Sequence, residues 1–143
     1  MARVLRVLAW AMGIACVVIG LGHVVLGNAW IPGEGSADAT MDSLGRFFGA
    51  IFVGYGLAWL WVVRQTPLPA TAVRWLAGVF LLGAAGRLLS LAARGWPDGM
   101  QVVLTVIELV VPPVLFWLAD ADADADAEGE GGADAVERPV VRT

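Results

Sequence analysis

The chain has 143 residues, 59% of them hydrophobic, with a mean hydropathy of +0.76 and a formal charge of −4. Soluble domains run at about 45–50% apolar residues, and too little polar surface exists here to cover a water-soluble globule. The charge is concentrated in residues 119–143, which hold Asp120, Asp122, Asp124, Asp126, Glu128, Glu130, Asp134 and Glu137; the body is mildly basic, has no lysine, and offers no basic patch suited to nucleic acid.

Residues 4–26, VLRVLAWAMGIACVVIGLGHVVL, are long enough to cross a bilayer, which takes about 20 apolar residues at about 1.5 Å each. Arg3 and Arg6 flank the start of this span. Gly27-Asn28-Ala29 offers small residues of the kind found at signal-peptide cleavage sites, but the apolar run exceeds the usual h-region of about 7–15 residues, so a retained span is expected. Cys16 is the single cysteine, which excludes an intrachain disulfide. It lies within the apolar run, as a small buried thiol does.

Residues 27–43 read as a polar loop rich in Gly, Pro, Ser and Asp, with Asp42 or Ser43 placed to cap the following helix. Residues 44–63 form the second span, and the turn RQTPLPAT (64–71) leads to a third at 72–92. The turn ARGWPD (93–98) leads to a fourth at 99–118, whose centre carries Glu108 and, one turn on, Pro112-Pro113. The tail, ADADADADA followed by EGEGGADAVERPVVRT, is acidic and of low complexity and is expected to be disordered. Short connections make neighbouring helices antiparallel. The expected fold is therefore an all-α membrane protein, a four-transmembrane-helix up-and-down bundle over residues 1–118 followed by a disordered tail over 119–143.

Arg3, Arg6, Arg64 and Arg74 lie on one side of this arrangement and Arg94 in a loop on the other, so the positive-inside rule places both termini in the cytoplasm. The richness in Ala, Gly and Arg fits a bacterial coding sequence, hence a bacterial inner (plasma) membrane. Trp59, Trp61, Trp75 and Trp117 near the inner ends, and Trp30 and Trp96 near the outer ones, read as aromatic belts.

Each span carries small or polar residues at a spacing of three and four: Gly13, Cys16, Gly20, His23 and Gly27; Asp42, Arg46, Gly49, Val53 and Gly56; Gly83, Arg87, Ser90 and Arg94; Gln101, Thr105, Glu108 and Pro112. Such stripes face neighbouring helices, where small side chains allow close approach and polar ones find partners. A charge at mid-span costs about 2.5–3.5 kcal/mol on insertion scales. Arg87 lies about 7 Å deep and Glu108 about 13 Å at 1.5 Å per residue, a gap that an arginine side chain covers. Glu108 is expected to be ionised and paired with Arg87, Arg46 or both, with Asp42 paired to Arg46 at i,i+4 and His23 in the same outer half. Pro112 and Pro113 cannot donate to the carbonyls of Glu108 and Leu109, which predicts a kink beside the carboxylate.

Three readings of this cluster compete. A structural or accessory membrane subunit leads, with a membrane-protein partner or a second copy docking on the small-residue faces. A binder or transporter of a small anionic or amphipathic ligand in an outer-leaflet pocket would use Arg46 and Arg87 for the anion and Glu108 for charge balance. An enzyme acting on a lipid or quinone would use Glu108 with His23 as relay. The last is weakest, because a carboxylate between guanidinium groups favours its charged form, and no nucleophile–base pair, metal-ligand spacing or phosphate loop accompanies it. No cofactor is expected.

The pattern Asp42-x-x-x-Arg46-Phe47-Phe48-Gly49, then Gly86-Arg87-Leu88-x-Ser90, then Glu108-Leu109-x-x-Pro112-Pro113 resembles the small bacterial membrane proteins grouped as domain of unknown function 4345. The resemblance covers about residues 5–118. It implies a four-helix membrane protein with Arg46, Arg87 and Glu108 at signature positions, and it implies no activity. A similarity to DoxX-like four-helix proteins is one of architecture.

Overall fold

The computed structural model describes residues 1–30 and 38–136, with side chains described up to residue 125. The centre of the first loop (31–37) and the last residues (137–143) lie outside the described residues, as does any expectation placed on them. Four long helices follow one another: α1 (Ala2–Leu26), α2 (Ala39–Val62), α3 (Ala70–Arg94) and α4 (Gly99–Val136). A short 3-10 turn, Gly27–Trp30, follows α1. All four helices are long and apolar enough to cross a membrane, so the chain is a multi-pass membrane protein with an all-α four-helix fold.

The helices begin and end a few residues beyond the expected spans. Asp38, in an extended conformation, caps α2 by accepting from the Met41 amide at 2.8 Å, so this helix starts a turn before Asp42 and Ser43. Helix α4 runs through Pro112 and Pro113 to Val136. Alternate alanines favour helix in the Asp–Ala run, and Asp120 is held by Arg74 of α3, whose Nε donates to Oδ1 at 2.8 Å.

Two hairpins make up the bundle. In the first, α1 and α2 touch through backbone. An ideal Cβ at Gly20 would lie 2.7 Å from the Gly49 carbonyl, and one at Gly56 would lie 2.8 Å from the Gly13 carbonyl. Glycines seven residues apart on each helix thus interleave along one seam, as close-packed membrane helices do. In the second hairpin the α3 glycines have another role. A Cβ at Gly78 or Gly86 would meet nothing within 4 Å, and one at Gly83 would meet only the Glu108 carboxylate.

The two ends of the bundle differ. At the end carrying the N-terminus, called here the near end, Leu5, Ala9, Met12, Trp59, Val62, Val63, Val73, Ala77, Leu115 and Leu118 form a continuous buried core. Trp59 is 0% exposed and belongs to this core rather than to an interfacial belt, whereas Trp61, Trp75 and Trp117 stand outward as expected for belt residues. Arg6 donates to the Val63 carbonyl at 3.1 Å, and the Arg64 guanidinium lies over the Trp10 ring at 5.6 Å. Toward the far end, that of the 27–38 and 95–98 connections, buried residues thin out to Ala84, Asn28, Glu108 and the α1–α2 glycines. The unfilled space of the fold lies here.

Candidate functional site

Arg87 lies about two turns before the end of α3 and Glu108 about two and a half turns into α4, so an antiparallel pair of helices brings them within reach of an arginine side chain. Arg87 Nε donates to Glu108 Oε2 at 2.8 Å, and Arg87 Nη1 donates to Gln101 Oε1 at 2.6 Å. Glu108 is 8% exposed, while about a third of the Arg87 side chain is exposed. The Glu108 carboxylate lies beside Gly83, with Oε2 3.7 Å from where a Cβ would stand. Thr105, one turn below Gln101 on α4, turns its hydroxyl onto the Gln101 carbonyl at 2.8 Å.

The pair does not fill its surroundings. A cavity of about 390 Å³ lies between the far ends of α3 and α4, with Arg87, Ser90, Gln101 and Thr105 among apolar walls from Leu88, Leu91, Val102, Val106 and Leu109. A second, of about 230 Å³, lies between α2 and α3 against the other side of Glu108. A third, of about 160 Å³, lies between α1 and α4 and is lined by Cys16, Phe52, Phe80, Arg87 and Glu108. Arg87 therefore lines the space within the α3–α4 hairpin, Glu108 lines the one between α2 and α3, and both line the α1–α4 cavity.

Asp42 pairs with Arg46 at i,i+4 as expected, but Arg46 and His23 do not join Glu108. Arg46 Nε donates to Asp42 Oδ2 at 2.8 Å, and its Nη1 donates to the carbonyls of Val24 and Val25 at 2.6 and 3.2 Å. These are among the last carbonyls of α1, which lack helical donors and attract a cation. Asp42 also accepts from the Asn28 amide at 3.2 Å. Arg46 is thus drawn to acceptors on the neighbouring helix end and pairs with Asp42, not with Glu108; it ties the α1–α2 hairpin shut. His23 Nδ1 bonds to the Ile19 carbonyl at 2.8 Å, and its Cβ packs over Gly49. No contact joins His23 to Glu108 among the described residues.

Two contributors stand outside the set of charged candidates. Gln101, noted only as part of a stripe, holds a second N–H of Arg87. Tyr55 lines the α2–α3 cavity, and its hydroxyl donates to the Leu76 carbonyl, tying α2 to α3. The signal for Gln101 lies in its position at i−7 from Glu108, on the same face of α4 two turns away; nothing in the local sequence marks Tyr55.

Chemically, the site joins an arginine with spare N–H groups to a carboxylate with a spare oxygen, set in apolar walls. It can hold a polar head group beside an apolar body. It carries no nucleophile activated by a base. No curated protein and no solved structure matches the chain. The family model described as a domain of unknown function (DUF4345) matches residues 4–119, covering all four spans and the Arg87–Glu108 pair, and the chain belongs to that family.

Proposed function

We propose that this membrane protein binds a small amphipathic anion, with the head group on Arg87 and the apolar chain in the cavity between α3 and α4. The observation that carries this reading is the cavity itself. Its volume of about 390 Å³ falls within the range of small-molecule sites, about 300–1,000 Å³, its walls are mainly apolar, with Trp96 beside the aliphatic residues, and an arginine stands among them. Arg87 uses Nε and Nη1 on Glu108 and Gln101; Nη2 has no hydrogen-bond partner among the described residues and is not fully enclosed by protein. An arginine has five N–H donors in a fork that suits a carboxylate or phosphate. Glu108 holds the guanidinium in place and balances its charge until the anion arrives.

The same reading places the chain in a bacterial plasma membrane with both termini in the cytoplasm, supported by Arg3, Arg6, Arg64 and Arg74 at the near end. The bilayer is then both the protein's surroundings and the source of its ligand. The accessory-subunit reading, with a partner chain or a second copy on the outer faces, makes no use of the cavities.

The test is thermal protection of the full chain in a neutral detergent. Dodecanoate should raise the unfolding midpoint, and dodecyltrimethylammonium at the same concentration should not. Val102→Trp fills the cavity without touching the ion pair and should abolish the protection. Equal protection by the two amphiphiles, or undiminished protection of Val102→Trp, refutes the assignment.

A further inference from the structure

Glu108 offers Arg87 only one of its two carboxylate oxygens. Oε2 takes the guanidinium Nε, and Oε1 has no hydrogen-bond partner among the described residues. Nor is Oε1 sealed in protein: among the described residues, the one fully enclosed side-chain nitrogen or oxygen without a partner is Trp59 Nε1. Glu108 as a whole is more than nine-tenths buried. A carboxylate oxygen accepts up to two hydrogen bonds, and leaving it without any in a low-dielectric setting is costly. The Glu108 side chain lines two spaces, the α1–α4 cavity and the α2–α3 cavity of about 230 Å³, the latter walled by Ile51, Phe52, Tyr55, Val79, Phe80 and Gly83. Tyr55 brings the one nearby hydroxyl, which is committed to the Leu76 carbonyl. The walls include flat rings in near-parallel order, with Phe52 and Tyr55 at 6.1 Å and 16°, and Tyr55 and Phe80 at 6.3 Å and 10°.

We infer that the α2–α3 chamber is a second ligand site, which takes an apolar ring bearing a hydroxyl group, with the hydroxyl donating to the Glu108 carboxylate and the ring lying against Phe52, Tyr55 and Phe80. The carboxylate has a free acceptor oxygen that a donor would satisfy. The choice of a neutral donor over an ammonium follows from charge balance: Arg87 already neutralises Glu108, and among the described residues Glu108 is the only charged one lining this chamber. An ammonium would add an uncompensated charge within the span, at a cost that a hydroxyl avoids. The chamber lies between α2 and α3, apart from the α3–α4 cavity, so the two sites take separate ligands.

The test uses 4-propylphenol and its methyl ether, 4-propylanisole, which differ by the hydroxyl proton, with 4-propylbenzylamine as the ammonium counterpart. The reading is the unfolding midpoint of the full chain in neutral detergent. The phenol should raise the midpoint, and the ether and the amine should leave it near its starting value. Val79→Phe and Ile51→Trp, which narrow the chamber at outward-reaching positions and leave the ion pair intact, should each lose the phenol shift while keeping the dodecanoate shift. An absent phenol shift, equal shifts for phenol and ether, a larger shift for the amine, or a phenol shift that survives in both variants overturns the proposal. Loss of the dodecanoate shift in wild type together with a retained phenol shift would overturn the anion site and leave this one standing.

Discussion

At the residue scale, four charged side chains of the far half, Arg46, Asp42, Arg87 and Glu108, form two pairs with different tasks. Arg46 and Asp42 are each more than a third exposed and close one hairpin; Arg87 and Glu108 lie between helices beside unfilled space. Removing one partner of a buried pair costs about 3–5 kcal/mol, because the other charge is left uncompensated. Arg87 is partly exposed, which puts the loss here toward the low end. Glu108→Gln should therefore lower the unfolding midpoint in detergent well below that of Arg46→Gln, where exposure limits the loss to about 1 kcal/mol. Similar midpoints for the two variants would contradict the division. The Arg87–Glu108 pairing was legible in the sequence as one of two partners for the carboxylate, because a short turn makes α3 and α4 antiparallel neighbours and an arginine side chain covers the gap in depth. The destination of Arg46 was not, because reaching Glu108 or the α1 carbonyls depends on how one hairpin sits on the other, and no local spacing encodes that.

At the scale of the helices, glycine has two distinct roles that spacing alone does not separate. On α1 and α2 it permits backbone contact; on α3 it leaves space empty or open to lipid. Gly20→Ala would push a methyl group to 2.7 Å from the Gly49 carbonyl and the Val53 amide, an overpacking that costs about 1–3 kcal/mol. Gly86→Ala meets nothing within 4 Å and removes a weak helix former, a gain of up to about 1 kcal/mol. The two variants should shift the unfolding midpoint in opposite directions; a shared direction would contradict the seam described here. The four helices and their order were readable from apolar run length and short turns. Their ends were less so: Asp38 caps α2 ahead of Asp42, and α4 outlasts its apolar stretch because alanine and the Arg74–Asp120 contact carry the helix onward.

At the scale of the whole molecule, the bundle is packed at the near end and open at the far end. Large apolar side chains from all four helices fill the near half, and the α1–α2 glycines draw those two helices together along their length. Helices α3 and α4 have no matching glycine seam; one space opens between them beside Arg87, and two more lie between the hairpins beside Glu108. The exposed apolar residues, such as Val7, Val18, Leu82 and Val103, form the surface expected against lipid tails. The central claim is that the α3–α4 space holds the chain of an amphipathic anion, distinct from this general lipid contact. It is tested most directly by photolabelling the full protein with a fatty acid that carries a diazirine on its chain, followed by mapping of the labelled peptides. The account predicts labels concentrated at residues 88–91 and 102–109 that are displaced by excess dodecanoate and absent from Val102→Trp. Labels spread evenly over the lipid-facing positions of all four helices, unaffected by dodecanoate, would contradict it.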